Sequence, residues 1–118
     1  MEDIEELDKI AEEFQECQEV LTAIGDRTRQ SIIIALMATR CEEGMRVGEI
    51  TQRTHLSRPA VSHHLKILKD AKVVNLHSKG TKNYYYLDPN QSKIMLLKNL
   101  VEHIEEFMTD YWPSQSKN

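Results

Sequence analysis

Residues 49–69 constrain this chain more than any other stretch. They run Glu49-Ile-Thr-Gln-Arg-Thr-His-Leu-Ser-Arg-Pro-Ala-Val-Ser-His-His-Leu-Lys-Ile-Leu-Lys69 and read as two short helices joined by a tight turn. Ile50 and Leu56 are apolar anchors on either side of the turn. Ser57 offers a side-chain oxygen to the unsatisfied amides of a new helix, and Pro59 falls in the first turn, where a missing N–H costs nothing. Val61, Leu65 and Leu68 then recur at helical spacing and are expected to face inward. The outward face is left with Arg58, Ala60, Ser62, His63, Lys66 and Lys69. Small, hydrogen-bonding and cationic side chains of this kind fit a major groove, where they meet base edges and phosphates. The stretch is read as a helix-turn-helix with its recognition helix at 57–69.

The next segment adds a hairpin. Two β-prone runs, 71–78 and 83–87, flank the turn Lys79-Gly80-Thr81-Lys82. A helix-turn-helix followed by a basic hairpin is the winged-helix arrangement. The expected fold class is therefore mainly α with a small β-hairpin: a winged helix-turn-helix with terminal helices. Candidate DNA-binding residues are Ser57, Arg58, Ala60, Ser62, His63 and Lys66 on the helix, with Lys79, Thr81 and Lys82 at the hairpin tip. The bland alternative is a small domain whose lysines are merely solvated. Tyr84, Tyr85 and Tyr86 read first as residues that fill a pleat.

A net charge of −4 at first argues against a polyanionic partner. Its distribution reverses that argument. Residues 1–19 carry Glu2, Asp3, Glu5, Glu6, Asp8, Glu12, Glu13, Glu16 and Glu19 against Lys9 alone. Residues 53–82 carry Arg53, Arg58, Lys66, Lys69, Lys72, Lys79 and Lys82 against Asp70 alone. Basic charge is concentrated where the motif places DNA, and the local footprint decides binding.

At 118 residues the chain is expected to be one winged-helix domain over 1–112, followed by a frayed tail at 113–118 that Pro113 begins. Ile4, Leu7, Ala11 and Phe14 keep a three-four spacing that continues to Leu21 and Ile24, broken only at Gln18. Ile94, Leu97, Val101, Ile104, Met108 and Tyr111 do the same near the other end. Two amphipathic helices, at about 4–24 and 91–112, are thus expected to present apolar seams, and a domain this small has too little core to cover both. The expected outcome is a symmetric homodimer with these residues at its interface, which would set two recognition helices about one DNA turn apart, ~34 Å. The longest apolar run, Ile32-Ile-Ile-Ala-Leu-Met-Ala38, is too short for a bilayer, and the acidic start is unlike a secretory signal.

Several separated motifs, in order, resemble the ArsR/SmtB family of bacterial repressors. They are Leu21-Thr-Ala-Ile-Gly-Asp-Arg-Thr-Arg29 followed by Ile32-Ile-Ile-Ala-Leu36; Ser57–Leu68 with Val61, Ser62, His64, Leu65 and Leu68 in place; and Lys79-Gly80 with Tyr84-Tyr85-Tyr86-Leu87. The resemblance spans about residues 20–112. It implies homodimeric winged-helix repressors that bind palindromic operators in double-stranded DNA and release them when an inducer arrives, here of unknown identity. It also implies that His64 supports the fold or a phosphate contact, while His63 faces outward. One family metal site matches Arg46 and Gly48, neither of which ligates. A second matches Asn90, Ser92, His103 and Glu106, of which only the last two are ligand types. No metal or other cofactor is expected, and His103 with Glu106 reads as a solvated pair.

Two cysteines are too few for a disulfide scaffold, so a reducing cytoplasm is expected. Cys17 reads as a small buried hydrophobe and Cys41 as an incidental loop thiol; the sharper alternative is a redox switch. No nucleophile–base pair and no phosphate-binding glycine loop is visible, so catalysis is not expected. Two functional classes follow: a sequence-specific repressor, or a winged-helix interaction module that no longer binds DNA and uses its acidic first helix as a contact surface.

Overall fold

The computed structural model describes residues 2–39 and 43–112. In chain order the elements are α1 (Glu2–Glu16), α2 (Gln18–Ile24), α3 (Arg27–Ala38), α4 (Val47–Thr54), α5 (Arg58–Asp70), β1 (Asn75–Lys79), β2 (Lys82–Tyr86), a 3-10 turn at Lys93–Met95, and α6 (Leu96–Tyr111). They form two compact units. One is Glu19–Ile94; the other combines the terminal segments up to Gln18 and from Met95 onward.

In the central unit α3, α4 and α5 pack on one another. Asp26 starts α3 by accepting a hydrogen bond from the Arg29 amide at 2.9 Å. Ile32, Ile33, Ala35 and Leu36 of that helix are buried, as are Ile50 of α4 and Val61, Leu65 and Leu68 of α5. Each large apolar side chain so buried contributes roughly 1.5–3 kcal/mol. Val73 and Val74 extend the core toward the hairpin.

The hairpin is antiparallel, with Asn75 opposite Tyr86 and Lys79 opposite Lys82. A two-residue loop, Gly80-Thr81, joins the strands. Gly80 sits at φ 61°, the first-position requirement of a type II′ turn. At the other end of the wing, the Met45 and Tyr85 amides and carbonyls exchange two 2.8 Å hydrogen bonds. Gly44 makes this approach possible: its φ is 98°, and a Cβ there would lie 2.5 Å from the Tyr85 carbonyl oxygen.

In the terminal unit α1 packs against α6. Cys17 and Leu100 are buried. The helix expected over about 4–24 is two helices, because the chain turns at Cys17. That turn resets the helical phase, so α2 buries Val20 and Ala23, and the expected seam residues Leu21 and Ile24 are only half-buried. Ile94 likewise is not part of α6; it lies in the short 3-10 helix before it and belongs to the central unit. The segment 113–118 and the loop thiol Cys41 lie outside the described residues. Among the described residues, no helix is long and apolar enough to cross a membrane.

Candidate nucleic-acid interface

The second helix of the motif is built from its cap outward. His55 closes α4 in the left-handed region at φ 61°, donating its amide to the Thr51 carbonyl at 2.8 Å. The extended backbone of Ser57 then caps α5, its Oγ accepting from the Ala60 amide at 3.2 Å. Pro59 falls in the first turn, as expected.

Val61, Leu65 and Leu68 have no exposed surface, which fixes the rotation of α5. Arg58, Ser62, His63, Lys66 and Lys69 are consequently exposed, with Ala60 half-exposed among them. Ser57, Lys79, Thr81 and Lys82 are exposed as well. All nine candidate DNA-binding residues are therefore accessible, six of them at the start and along the outer face of α5 and three at the hairpin tip.

Several of these cations have partners in the free protein. Lys66 Nζ bonds the Asp70 carboxylate at 2.8 Å, one helical turn on, with Lys69 at 4.0 Å from the same group. The hydrogen bond raises the Lys66 ammonium above its ordinary value and lowers the Asp70 carboxyl. Lys79 pairs with Glu43, whose carboxyl is lowered by that bond. Such exposed pairs are weak and exchange readily for a stronger anion. The Arg58 guanidinium rests over the first turn of α4, where a Cβ on Gly48 would be 3.4 Å from its Nη1. Behind the wing tip, His77 stacks on Tyr84 at 5.4 Å and its Nε2 bonds the Glu43 carbonyl at 2.9 Å.

One hub carried no assigned role in the sequence. Arg29 donates from Nε to the Ala23 carbonyl at 2.6 Å, from Nη2 to the Thr22 carbonyl at 3.2 Å, and from Nη1 to His64 Nδ1 at 3.2 Å. It thereby satisfies the last carbonyls of α2 and ties them to α5. His64 is half-buried, and its pKa is lowered, chiefly by that burial, against the pull of Asp26. The available signal was the arginine's place two residues beyond a helix start, within hydrogen-bond reach of the carbonyls of the preceding helix.

This geometry is matched by known proteins. Residues 26–75 match the model of the bacterial regulatory protein, arsR family. The transcriptional repressor SdpR of Bacillus subtilis is 41% identical over 69 residues, which cover 58% of this chain and 72% of SdpR. The chain belongs to the ArsR family. A helix-turn-helix-type regulator of Methanocaldococcus jannaschii, MJ1325, is 37% identical over 83 residues, covering 70% of this chain and 89% of that protein. Among solved structures, the homodimeric winged helix-turn-helix DNA-binding domain Mb0332 from Mycobacterium bovis superposes with a TM-score of 0.60 at 23% identity, covering 81% of this chain and 88% of that one. The fold is thus the winged helix-turn-helix of ArsR-family transcriptional regulators.

Two of the positions that the resemblance matched to metal ligands, Ser92 and His103, make other contacts. The Ser92 hydroxyl is buried; it donates to the Val73 carbonyl and accepts from the Ile94 amide at 3.2 Å. His103 and Glu106 are both exposed, and His103 has a partner on α1. The packing of α1 on α6 brings Glu13 to 2.7 Å from His103 Nδ1, while Glu106 acts only through its charge. That hydrogen bond raises the His103 pKa. Among the described residues, no three His, Cys, Asp or Glu side chains are grouped to hold a metal ion.

Proposed function

We propose that this ArsR-family protein is a homodimeric, sequence-specific repressor that binds a palindromic operator in the cytoplasm. The observation that carries the reading is the outer face of α5. Its inward stripe of Val61, Leu65 and Leu68 is fully buried, which leaves Arg58, Ser62, His63 and Lys66 exposed, as the hairpin lysines are. Arg58 and His63 are assigned to base edges; Ser57, Ala60 and Ser62 allow close approach. Lys66, Lys79, Thr81 and Lys82 are assigned to the phosphate backbone.

Dimerisation rests on the apolar side chains that a single copy leaves exposed. On α1 these are Ile4, Leu7, Ala11 and Phe14; on α6 they are Val101, Met108 and Tyr111, with Val101 59% and Met108 61% exposed. Ile94, Leu97 and Ile104 are half-buried and contribute less. Two facts about relatives support the reading: SdpR is named a transcriptional repressor, and the Mb0332 domain is described as homodimeric.

The test is a salt-dependent mobility shift on the DNA upstream of the protein's own gene. Lys66→Ala lowers affinity for all sequences and makes the salt slope shallower by about two for a dimer, one phosphate per half-site. Arg58→Ala or His63→Ala removes the preference for the palindrome, by ~1–3 kcal/mol per lost base contact. Unchanged operator preference in both variants would remove the base-reading assignment.

A further inference from the structure

Arg29 and His64 together have a geometry that dictates a protonation pattern. A guanidinium has five N–H donors and no acceptor. The 3.2 Å contact between Arg29 Nη1 and His64 Nδ1 therefore requires Nδ1 to accept. A ring accepting through Nδ1 is neutral and carries its one proton on Nε2. Arg29 is itself held by the Ala23 and Thr22 carbonyls, so the donor is not free to rotate away.

His64 Nε2 has no partner among the described residues, and no polar side-chain atom among them is both fully buried and unsatisfied. The Nε2–H is thus in reach of solvent, on the recognition helix, with the exposed His63 ring 5.1 Å away. We propose that Arg29 locks His64 as the Nε2–H tautomer and that this uncharged donor takes a backbone phosphate oxygen of the bound duplex. Burial lowers the His64 pKa, in keeping with a neutral ring. A phosphate is favoured over a base edge because the half-buried ring stands back from the exposed face that Arg58 and His63 occupy. A neutral donor to an anionic oxygen is a strong, charge-assisted bond. It neutralises no phosphate, so unlike a lysine it releases no counterions. His64 would therefore add affinity without adding salt dependence.

The inference rests on the DNA-binding reading above, and its test has one arm that does not need DNA. Ring nitrogen NMR on the free protein at pH 7.5 is expected to show His64 neutral and almost wholly Nε2–H, and Arg29→Lys to release a tautomer mixture. On operator DNA, His64→Leu is expected to lose about tenfold to a hundredfold in affinity, the range of a hydrogen bond to a charged group, at an unchanged salt slope. His64→Gln, whose amide nitrogen takes the place of Nε2–H, is expected to recover most of that loss. An Nδ1–H tautomer or a protonated ring in the free protein overturns the lock. Wild-type binding by His64→Leu, or equal losses in the Leu and Gln variants, overturns the phosphate contact. Failure of the wild-type protein to bind any duplex overturns the DNA reading and that contact together, while the tautomer result still decides the lock.

Discussion

Ser57 separates the stability of the recognition helix from its contact with DNA, because one side chain serves both. Its Oγ accepts the Ala60 amide at 3.2 Å, toward the long end of the usual range. The neighbouring Pro59 has no amide, and the Val61 amide bonds the Ser57 carbonyl at 3.0 Å. Ser57→Ala therefore strands one donor that water still reaches, and a loss of about 1 kcal/mol is expected. In urea this moves the unfolding midpoint down by roughly 0.5 M. Ser57→Asp keeps the cap and places a negative charge at a helix N-terminus, so its midpoint should match or exceed wild type. On DNA the order reverses. A carboxylate about 7 Å from a phosphate costs roughly 0.6 kcal/mol in water, and two or three phosphates lie within the Debye length. The Asp variant should thus lose about tenfold in operator affinity per half-site, and the Ala variant much less. Urea unfolding and fluorescence anisotropy on a labelled operator read the two quantities. If Ser57→Asp binds operator at low salt as tightly as wild type, the start of α5 does not face the duplex.

Gly44→Ala places a Cβ 2.5 Å from the Tyr85 carbonyl oxygen at a φ of 98°. It should destabilise the wing base by about 1–3 kcal/mol and speed amide exchange at Met45 and Tyr85; unchanged exchange at both would contradict the packing described. The His103–Glu13 contact raises the histidine pKa above 6.5, so its stabilisation is complete below 6.5 and is lost as pH rises through the folded-state value. Unfolding measured across that window should show wild-type stability falling with pH, and Glu13→Gln should flatten the slope; an unaltered slope would show that the pair contributes nothing.

The central unit was legible because its signals are local. Cap, proline and apolar spacing place α5 to within a residue, and Gly80 between two β-prone runs places the hairpin loop. What escaped was long-range. Gly44 and Met45 carry no β pattern of their own, and their bridge to Tyr85 is set by tertiary approach. Arg29 was only the end of a family-like string, and its role depends on α2 and α5 being brought to it. His103 was read with Glu106 as solvated, and both are exposed; the packing of α1 on α6 adds the Glu13 partner that spacing could not show. The rhythm of the first segment showed a break at Gln18, and the chain turns beside it at Cys17, between α1 and α2. The ion pair of Lys79 with Glu43 was likewise invisible beforehand, since it joins residues 36 apart, whereas Lys66 and Asp70 stand at the i, i+4 spacing of one helix.

Lysine-reactivity footprinting on the full chain, with and without operator duplex, tests the central claim most directly, because the protein carries its own controls. Lys66, Lys69, Lys79 and Lys82 should become protected when operator is added, while Lys9 on α1 and Lys98 on α6 keep their free-state reactivity. Protection of Lys9 and Lys98, with Lys66 and Lys82 still reactive, would place the duplex on the terminal helices and contradict the account.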